Sequence, residues 1–358
     1  MAKFKKIGIL TSGGDAPGMN AAIRAAARKA MSEGIEVVGI REGYNGLING
    51  NIIPLDTHAV SNIITHGGTI LYSSRCPEFK TEEGMRKAVE TCKEHGIDAV
   101  VALGGDGTFR GATDLTNHGI PSVGIPCTID NDITASEYTI GFDTAMNTVV
   151  ALVDSLRETC ESHARCNVVE VMGRDCGNIA LYAGIASGAV IIAVPEMDFD
   201  EEYAISVLQR ARNNGKRGLI CVFSEGIPKK LGEGYSEEFV EKLKAETGID
   251  TRFARLGHVV RGGSPSLRDR FTATQMGARA IDCLLEGKSN VVIGFQNGKI
   301  TSIDINYALV LDRMYRGTLK DGDLDGFSAE EIEEMKVICA NRHAKIERLY
   351  KMSYDICE

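Results

Sequence analysis

Residues 121–132, PSVGIPCTIDND, join a short apolar run to a group of polar side chains. The apolar run, Pro121 to Ile125, predicts a strand buried on both faces of a sheet. Thr128, Asp130 and Asp132 follow at two-residue spacing, just beyond the predicted strand. Ligands of open α/β sheets bind beyond the carboxyl ends of the strands. If the segment stays extended, the three side chains point to one side, so that one carboxylate can take a proton while the other serves a metal ion.

A second junction of this kind lies earlier in the chain. The run from Ala99 to Leu103 predicts a strand, and the sequence GGDGT follows it at 104–108. Glycines let backbone N–H groups approach a phosphate closely. Asp106 would repel that phosphate unless a divalent cation lay between them. A phosphate loop, a carboxylate for a metal ion and a carboxylate for a base together indicate phosphoryl transfer.

Each of these motifs also has a purely structural interpretation. A glycine loop serves any tight turn, and an Asp-Asn-Asp sequence commonly forms a turn that caps a helix. The chain carries another strand-to-glycine loop around Gly13 and Gly14, and two such loops before helices favour a phosphate site. Neither loop is a P-loop, because a P-loop ends in Gly-Lys-Ser or Gly-Lys-Thr after a strand. The only Gly-Lys-Ser in the sequence, at 287–289, ends a predicted helix instead. The glycines at 105–111 miss the dinucleotide fingerprint by one residue, so a nicotinamide oxidoreductase is a poor second interpretation.

Composition and charge limit the class of protein. The chain has 358 residues, 43% of them hydrophobic and 25% charged, with a formal net charge of −9. This length predicts two or three domains with ample core. The acidic balance disfavours nucleic acid or an anionic membrane as the main partner, and no apolar run approaches the roughly 20 residues that span a bilayer. Ten cysteines without a C-x-x-C pair and the lack of a signal-peptide core lead us to expect a cytoplasmic protein.

Short apolar runs alternate with amphipathic segments along most of the chain. This alternation predicts mostly parallel sheets with helices on both faces. The predicted elements include a strand at 6–10 and helices at 19–32, 142–163 and 268–286. From about Lys320 the sequence becomes charged and only loosely amphipathic, which predicts a peripheral helix.

Arginines beside glycines are found in predicted loops at strand ends. Arg174 ends the sequence Met-Gly-Arg, and Arg261 lies in HVVRGG at 258–263, while Arg75 lies in a predicted loop at 67–79. An isolated arginine is usually a solvated surface residue, but beside glycine it can clamp a phosphate with two hydrogen bonds.

Taken together, these motifs resemble the bacterial-type ATP-dependent 6-phosphofructokinases (phosphofructokinase A family). The resemblance covers about residues 4 to 310 and runs through five segments: LTSGGDAPGMN at 10–20, GGDG at 104–107, TIDND at 128–132, MGR at 172–174, and GH at 257–258 with RGGSP at 261–265. It implies transfer of the γ-phosphate of ATP to the 1-hydroxyl of fructose 6-phosphate in glycolysis. Mg²⁺ is the implied cofactor, and a cytoplasmic homotetramer with active sites shared between subunits is the implied assembly.

The same resemblance implies two three-layer α/β/α domains. Residues 1–139 and 257–305 would form the larger nucleotide-binding domain, residues 140–256 the smaller sugar-phosphate domain, and residues 306–358 a C-terminal helical segment and tail.

The resemblance also implies a role for individual residues. Asp130 is the expected base that takes the proton of the sugar 1-hydroxyl, and Asp106 is expected to hold Mg²⁺. Arg75 and Thr128 would stabilise the phosphoryl group in transfer, and the implied catalytic set is Asp130, Thr128, Arg174, Asp132 and Arg75. The nucleotide would meet Gly14, Arg75, Cys76, Gly105, Asp106, Gly107 and Thr108. The sugar phosphate would meet Thr128, Asp130, Met172, Gly173, Arg174, Glu225, His258 and Arg261, with Arg165 and Arg252 from a neighbouring subunit.

The expected phosphoryl donor is ATP. Pyrophosphate-dependent members of the family carry Asp at the position of Gly107 and Lys at the position of Cys127. That Asp fills the space which the α-phosphate of ATP needs. Cys127 is neither this Lys nor the Gly of the ATP-dependent enzymes, so a pyrophosphate-dependent enzyme stays an alternative. A catalytically silent, effector-binding paralogue is a further alternative, which loss of Asp106 or Asp130 would favour, and both are present.

The resemblance also implies a regulatory site between subunits, although three of its expected residues differ in this sequence. Five basic residues match its phosphate-binding positions: Arg24, Arg28, Arg157, Lys216 and Arg217. Thr57 stands where an Arg is usual, Val190 where a metal-binding Glu is usual, and Asn214 where a Lys is common. Because the missing carboxylate removes a Mg²⁺ anchor for ADP, we expect ADP activation to be weak or absent.

Overall fold

The computed structural model describes residues 4–357, which contain eleven strands and twelve α-helices. The strands are β1 (Lys6–Thr11), β2 (Glu36–Ile40), β3 (Ile52–Pro54), β4 (Ala99–Gly104), β5 (Ser122–Pro126), β6 (Cys166–Val171), β7 (Ile191–Ala193), β8 (Leu219–Ser224), β9 (Thr251–Arg255), β10 (Val291–Gln296) and β11 (Lys299–Asp304). The helices are α1 (Met19–Ser32), α2 (Gly43–Asn49), α3 (Glu82–Glu94), α4 (Asp106–Asn117), α5 (Phe142–His163), α6 (Asn178–Ala186), α7 (Glu201–Asn213), α8 (Gly226–Leu231), α9 (Tyr235–Thr247), α10 (Leu267–Leu285), α11 (Ile305–Tyr315) and α12 (Ala329–Cys357).

The chain forms two compact units. The first contains residues up to Thr144 together with Arg261–Lys336, and the second contains Ala145–Val260 together with the residues from Val337 onward. The expected division at 139/140 and 256/257, with one domain for the nucleotide and one for the sugar phosphate, stays a prediction.

The first unit is built on a seven-stranded sheet in the order β11-β10-β5-β4-β1-β2-β3. The five inner strands run parallel, and the two edge strands, β3 and β11, pair antiparallel with their neighbours. Every residue of β4 and β5 is buried, as expected for strands covered on both faces. The carboxyl ends of β1, β4 and β5 therefore lie side by side at one edge of this sheet.

The second unit is built on a four-stranded, fully parallel sheet in the order β7-β8-β6-β9. Its core includes a cluster of aromatic rings, in which Phe199, Phe223 and Phe239 lie 5.2 to 5.7 Å apart between ring centroids. Val171 at the end of β6 pairs in register with Ser224 at the end of β8. The loops that leave these two strands are therefore neighbours.

The predicted fold class is confirmed by these mostly parallel sheets. The strand predicted at 6–10 and the helices predicted at 19–32, 142–163 and 268–286 are present with ends within one residue. The sequence did not predict β3, which has three residues, or β11, whose sequence KITSID is mostly polar. The helical segment expected from residue 306 begins with α11, which follows directly after β11.

The residues expected to form the C-terminal segment at 306–358 belong partly to the first unit and partly to the second. Helix α11 places Ala308, Val310 and Leu311 in the core of the first unit. The end of α12 packs in the second unit, where the ring centroids of Tyr354 and Tyr203 lie 5.4 Å apart. Among the described residues, no helix is long and apolar enough to cross a bilayer.

Candidate functional site

Hydrogen bonds tie together the three loops that follow β1, β4 and β5. The amide of Ser12 donates to the carbonyl of Leu103, and the amide of Cys127 donates to the carbonyl of Gly104, both over 2.9 Å. Thr108 Oγ1 also donates to the carbonyl of Ser12, over 3.1 Å. The loops that carry Gly14, Asp106 and Asp130 are thereby fixed relative to one another.

The glycines after β4 serve two different purposes. A Cβ atom on Gly104 would lie 2.3 Å from the carbonyl oxygen of Ser12, so only glycine allows this close contact between loops. Around a Cβ placed on Gly105 or Gly107, by contrast, no described atom lies within 4 Å. These two glycines therefore leave open space at the first turn of α4. The N-terminus of a helix attracts anions such as phosphate.

Asp106 is the first residue of α4, and its two carboxylate oxygens differ. Oδ2 accepts a hydrogen bond from Arg110 over 2.8 Å, whereas Oδ1 is buried and has no hydrogen-bond partner within residues 4–357. A carboxylate oxygen is a ligand that Mg²⁺ prefers, and proteins commonly hold this ion with one or two carboxylates plus substrate phosphates. The described residues contain no group of three or more His, Cys, Asp or Glu that could hold a metal ion. Asp106 thus fits an ion that takes its other ligands from phosphate and water.

The segment Thr128–Asp132 is a turn, so the expected extended arrangement of its side chains is wrong. Asn131 has φ +52°, in the left-handed region that asparagine tolerates better than most residues. Thr128 Oγ1 lies 3.3 Å from both the amide and Oδ2 of Asp130. Thr139 Oγ1 donates to the carbonyl of Thr128 over 2.6 Å and steadies the turn. The turn leaves Asp130 only 5% exposed.

Asp132 is contacted by the residue that follows α11, in the segment expected to be helical from residue 306. Arg316, which follows α11, donates to the carbonyl and to Oδ2 of Asp132 over 3.1 and 3.2 Å. Asp312, one turn earlier, accepts a hydrogen bond from the amide of Thr134. Burial raises the pKa of Asp312 to about 6, although its hydrogen bonds with Thr134 and the charge of Arg316 act in the opposite direction.

Arg261 lies against the loop that follows β1. Its Nη1 donates to the carbonyl of Asp15 over 3.2 Å, and a Cβ on Gly14 would lie 2.7 Å from the same nitrogen. The structure thus brings together Gly14, expected at the nucleotide, and Arg261, expected at the sugar phosphate. Glycine at position 14 is what lets the guanidinium approach this closely.

Arg75 and Cys76 lie in a segment that is fastened beside the same loop. Ser73 Oγ donates to the carbonyl of Gly13, and Ser74 Oγ donates to the carbonyl of Glu42 over 2.8 Å. The expected loops at 67–79 and 258–265 each contain part of a short 3₁₀ helix, at Pro77–Lys80 and Gly257–Arg261. Arg75 is exposed and Cys76 half-buried.

In the second unit, Glu225 organises the loop that follows β6. Its Oε1 accepts hydrogen bonds from the amides of Gly173 and Arg174, over 3.1 and 2.6 Å. Arg174 has φ +59°, which is costly for an arginine and is held by these contacts. Met172 lies in this loop, and the more distant His258 is exposed.

Arg165 and Arg252, the two residues expected to reach a neighbouring subunit, share one carboxylate. Arg165 Nε lies 2.6 Å from Asp250 Oδ2, and Arg252 Nη2 lies 3.2 Å from Oδ1. The hydrogen bond from Arg165 and the positive charges of both arginines hold the pKa of Asp250 below its ordinary value.

The residues expected at the regulatory site belong to both units. Arg24 and Arg28 lie one turn apart on α1 of the first unit. In the second unit, Arg157 donates to the carbonyl of Ser187, and Arg217 donates to the carbonyl of Glu161 over 3.0 Å. Lys216 and Asn214 follow the end of α7, and Thr57 is exposed. Val190, at 4% exposure, is part of the apolar core rather than of a charged surface.

Comparisons with known proteins give a consistent result. The family model described as "Phosphofructokinase" matches residues 6–284. The "ATP-dependent 6-phosphofructokinase 1" of Clostridium perfringens is 50% identical over 316 residues, which are 88% of this chain and 97% of that relative. The "ATP-dependent 6-phosphofructokinase" of Halalkalibacterium halodurans is 50% identical over 306 residues, or 86% of this chain and 94% of that relative. The family predicted from the sequence motifs is thus confirmed.

Solved structures agree with the sequence comparisons. The structure of phosphofructokinase from Saccharomyces cerevisiae matches 93% of this chain with a TM-score of 0.82 and 32% identity. The match covers 50% of the yeast chain, so this chain spans half the length of that protein.

Proposed function

The chain belongs to the phosphofructokinase family, and we propose that it is an ATP-dependent 6-phosphofructokinase. It transfers the γ-phosphate of ATP to the 1-hydroxyl of fructose 6-phosphate and forms fructose 1,6-bisphosphate and ADP. The observation that carries this proposal is the joining of the Gly105–Gly107 loop, Asp106 and Asp130 at adjacent strand ends. Relatives with this name are 50% identical over nearly their whole length.

We assign the nucleotide to the loops after β1 and β4. Gly105 and Gly107 leave room for phosphates at the first turn of α4, where Thr108 lies, and Gly14 and Cys76 lie in neighbouring loops. The buried, unpartnered Oδ1 of Asp106 supports this residue as the ligand of Mg²⁺. When bound, the ion neutralises part of the charge of the phosphates.

Asp130 is the proposed base. As the sugar 1-oxygen attacks the γ-phosphorus, the carboxylate takes the hydroxyl proton, and the bond to the β,γ-bridging oxygen breaks to release ADP. Thr128, 3.3 Å from Asp130, and the exposed Arg75 are the proposed donors to the transferred phosphoryl group. When Mg²⁺ is bound, Asp132 would help to hold the ion or its waters.

We assign the sugar phosphate chiefly to the loop that Glu225 organises. Met172, Gly173, Arg174 and Glu225 would hold the sugar. A proposed homotetramer in the cytoplasm would add Arg165 and Arg252 of a neighbouring subunit, together with His258 and Arg261, to bind the 6-phosphate. The side chains of Arg165 and Arg252 are 30% and 55% exposed, which supports contact with a neighbour.

ATP rather than pyrophosphate is the proposed donor because of the open space at Gly107. Cys127 is only 1% exposed, and burial raises the pKa of its thiol far above the ordinary value. This neutral, buried residue supplies no positive charge to replace the Lys of pyrophosphate-dependent members.

The direct test is turnover of fructose 6-phosphate with Mg²⁺ and either ATP or pyrophosphate as the sole donor. We expect formation of fructose 1,6-bisphosphate with ATP alone. Turnover with pyrophosphate would contradict the donor assignment, and no turnover with either donor would favour the catalytically silent paralogue.

A further inference from the structure

Two carboxylates hold the loop at 172–177, between β6 and α6, one at each end of the loop. Glu225, after β8, receives the amides of Gly173 and Arg174. Glu196, after β7, receives the amide of Gly177 on both of its oxygens, over 2.8 and 3.1 Å. The sequence resemblance assigns Glu225 to the site, but it does not assign Glu196.

Gly177 lies so close to its neighbours that there is no room for a side chain at this position. A Cβ at this position would lie 2.3 Å from Cβ of Val194 and 2.8 Å from Oε2 of Glu196. Glycine is therefore what allows the carboxylate to meet the backbone. Because hydrogen bonds to a charged acceptor are stronger than neutral ones, Glu196 is a firm anchor for this end of the loop.

The interior of the loop carries the constraint from Gly177 towards the sugar. The amide of Cys176 donates to the carbonyl of Gly173 over 3.0 Å. Ser224 Oγ donates to the carbonyl of Cys176 over 3.1 Å, which ties the middle of the loop to β8. These bonds link Gly177 to Gly173 through its neighbour Cys176.

Helix α12 supplies positive charge near this anchor. The charges of Arg342 and His343 favour the ionised form of Glu196, as does the amide of Gly177, although burial still raises the pKa of Glu196 above its ordinary value. The C-terminal helix thereby supports the charge on which the anchor depends.

We propose that Glu196 is a positioning residue for fructose 6-phosphate, which fixes the loop at 172–177 so that Met172, Gly173 and Arg174 meet the sugar in one geometry. This inference rests on the proposed function. Glu225 is assigned to the sugar itself, whereas Glu196 acts only through the backbone of Gly177.

The test compares E196A and E196Q with wild type, and uses D198N as the matched control. Asp198 is an exposed carboxylate two residues away, paired with Lys230 over 3.1 Å and without contact to Gly177 among the described residues. Kinetic constants for fructose 6-phosphate and for ATP are measured beside the melting temperature. We expect the KM for fructose 6-phosphate to rise about tenfold in E196A, because a hydrogen bond to a charged group is worth roughly 1.5–3 kcal/mol. The rise should be smaller in E196Q, which keeps one acceptor oxygen, and absent in D198N.

A selective effect on the sugar distinguishes positioning from a merely structural role. The KM for ATP should stay within about twofold of wild type, since the donor site is unchanged. If the wild type turns over fructose 6-phosphate but the KM for this sugar is unchanged in both Glu196 variants, the positioning role of Glu196 is overturned. The proposed enzyme function then still stands. Equal rises for sugar and ATP would also overturn the positioning role. If E196A does not fold, E196Q decides by the same criteria, and an inactive wild type would overturn the function and this inference together.

Discussion

Arg316 donates hydrogen bonds to both the backbone carbonyl and the carboxylate of Asp132, over 3.1 and 3.2 Å. The two residues are 184 positions apart in the chain. Arg316 thereby holds the end of the turn that begins at Thr128 and contains Asp130. The helix α11, which carries no family motif, thus steadies the segment to which we assign the chemistry.

Replacing Arg316 with Gln should lower kcat. The shorter neutral side chain loses the charged contact with Asp132, and we expect a drop of about tenfold, which corresponds to about 1.4 kcal/mol in activation free energy. R313Q is the matched control, since Arg313 lies in the last turn of α11, three residues before Arg316, and pairs with Asp323 instead. The measurement is kcat at saturating substrates and Mg²⁺. Equal values of kcat in R316Q and R313Q would contradict this role.

Replacing Asp130 with Ser should remove most of the activity. Serine cannot take the proton of the sugar hydroxyl at neutral pH, so we expect kcat to fall by at least about 100-fold. ATP binding, measured by calorimetry, should stay close to wild type because Asp130 is not assigned to the nucleotide. D321S, at an exposed position, serves as the control. Activity that survives in D130S would mean that another group is the base.

Replacing Gly107 with Asp should act on the donor. The new side chain would occupy the open space before α4 and add a negative charge beside Asp106. We expect kcat/KM for ATP to fall by about 100-fold or more, since a carboxylate and a phosphate would compete for one position. G326D is the control. A Cβ on Gly326 likewise has no described atom within 4 Å, but Gly326 is an exposed residue of the turn between α11 and α12, which is not assigned to the nucleotide. A kcat/KM for ATP that equals that of G326D would contradict the assignment of this space to a phosphate.

The sequence predicted those parts of the site that follow strands directly. Asp106 and Asp130 each come just after an apolar run, and parallel strands bring such positions to one edge of a sheet. The geometry at Asp130 was not predictable from periodicity, because the turn depends on the left-handed backbone of Asn131. Arg316 and Glu196 were missed for a different reason, because their partners, Asp132 and Gly177, lie elsewhere in the chain. A helical or strand pattern does not say which polar side chain contacts which distant residue.

ADP should activate the enzyme weakly or not at all. Val190 occupies the position of the expected metal-binding carboxylate, and its apolar side chain, buried in the core, offers an ion no ligand. We expect velocity at low fructose 6-phosphate to change by less than about twofold when ADP and Mg²⁺ are added. The R28A variant, which removes an expected phosphate contact, should give the same response as wild type. A rise of several-fold that R28A abolishes would contradict this prediction.

Replacing Asp312 with Asn should change how stability depends on pH. Because burial raises the pKa of Asp312 from 3.8 to about 6, the folded protein binds a proton that the unfolded chain has already released between these pH values. The free energy of unfolding of the wild type should therefore fall as the pH rises from about 4 to 6, by up to about 3 kcal/mol for this one group. Asparagine does not titrate, yet it can still accept the hydrogen bond from Thr134. The advantage of D312N over wild type, followed by denaturant unfolding, should thus grow with pH across this interval and stay constant above it; parallel curves would mean that the Asp312 carboxyl is not perturbed.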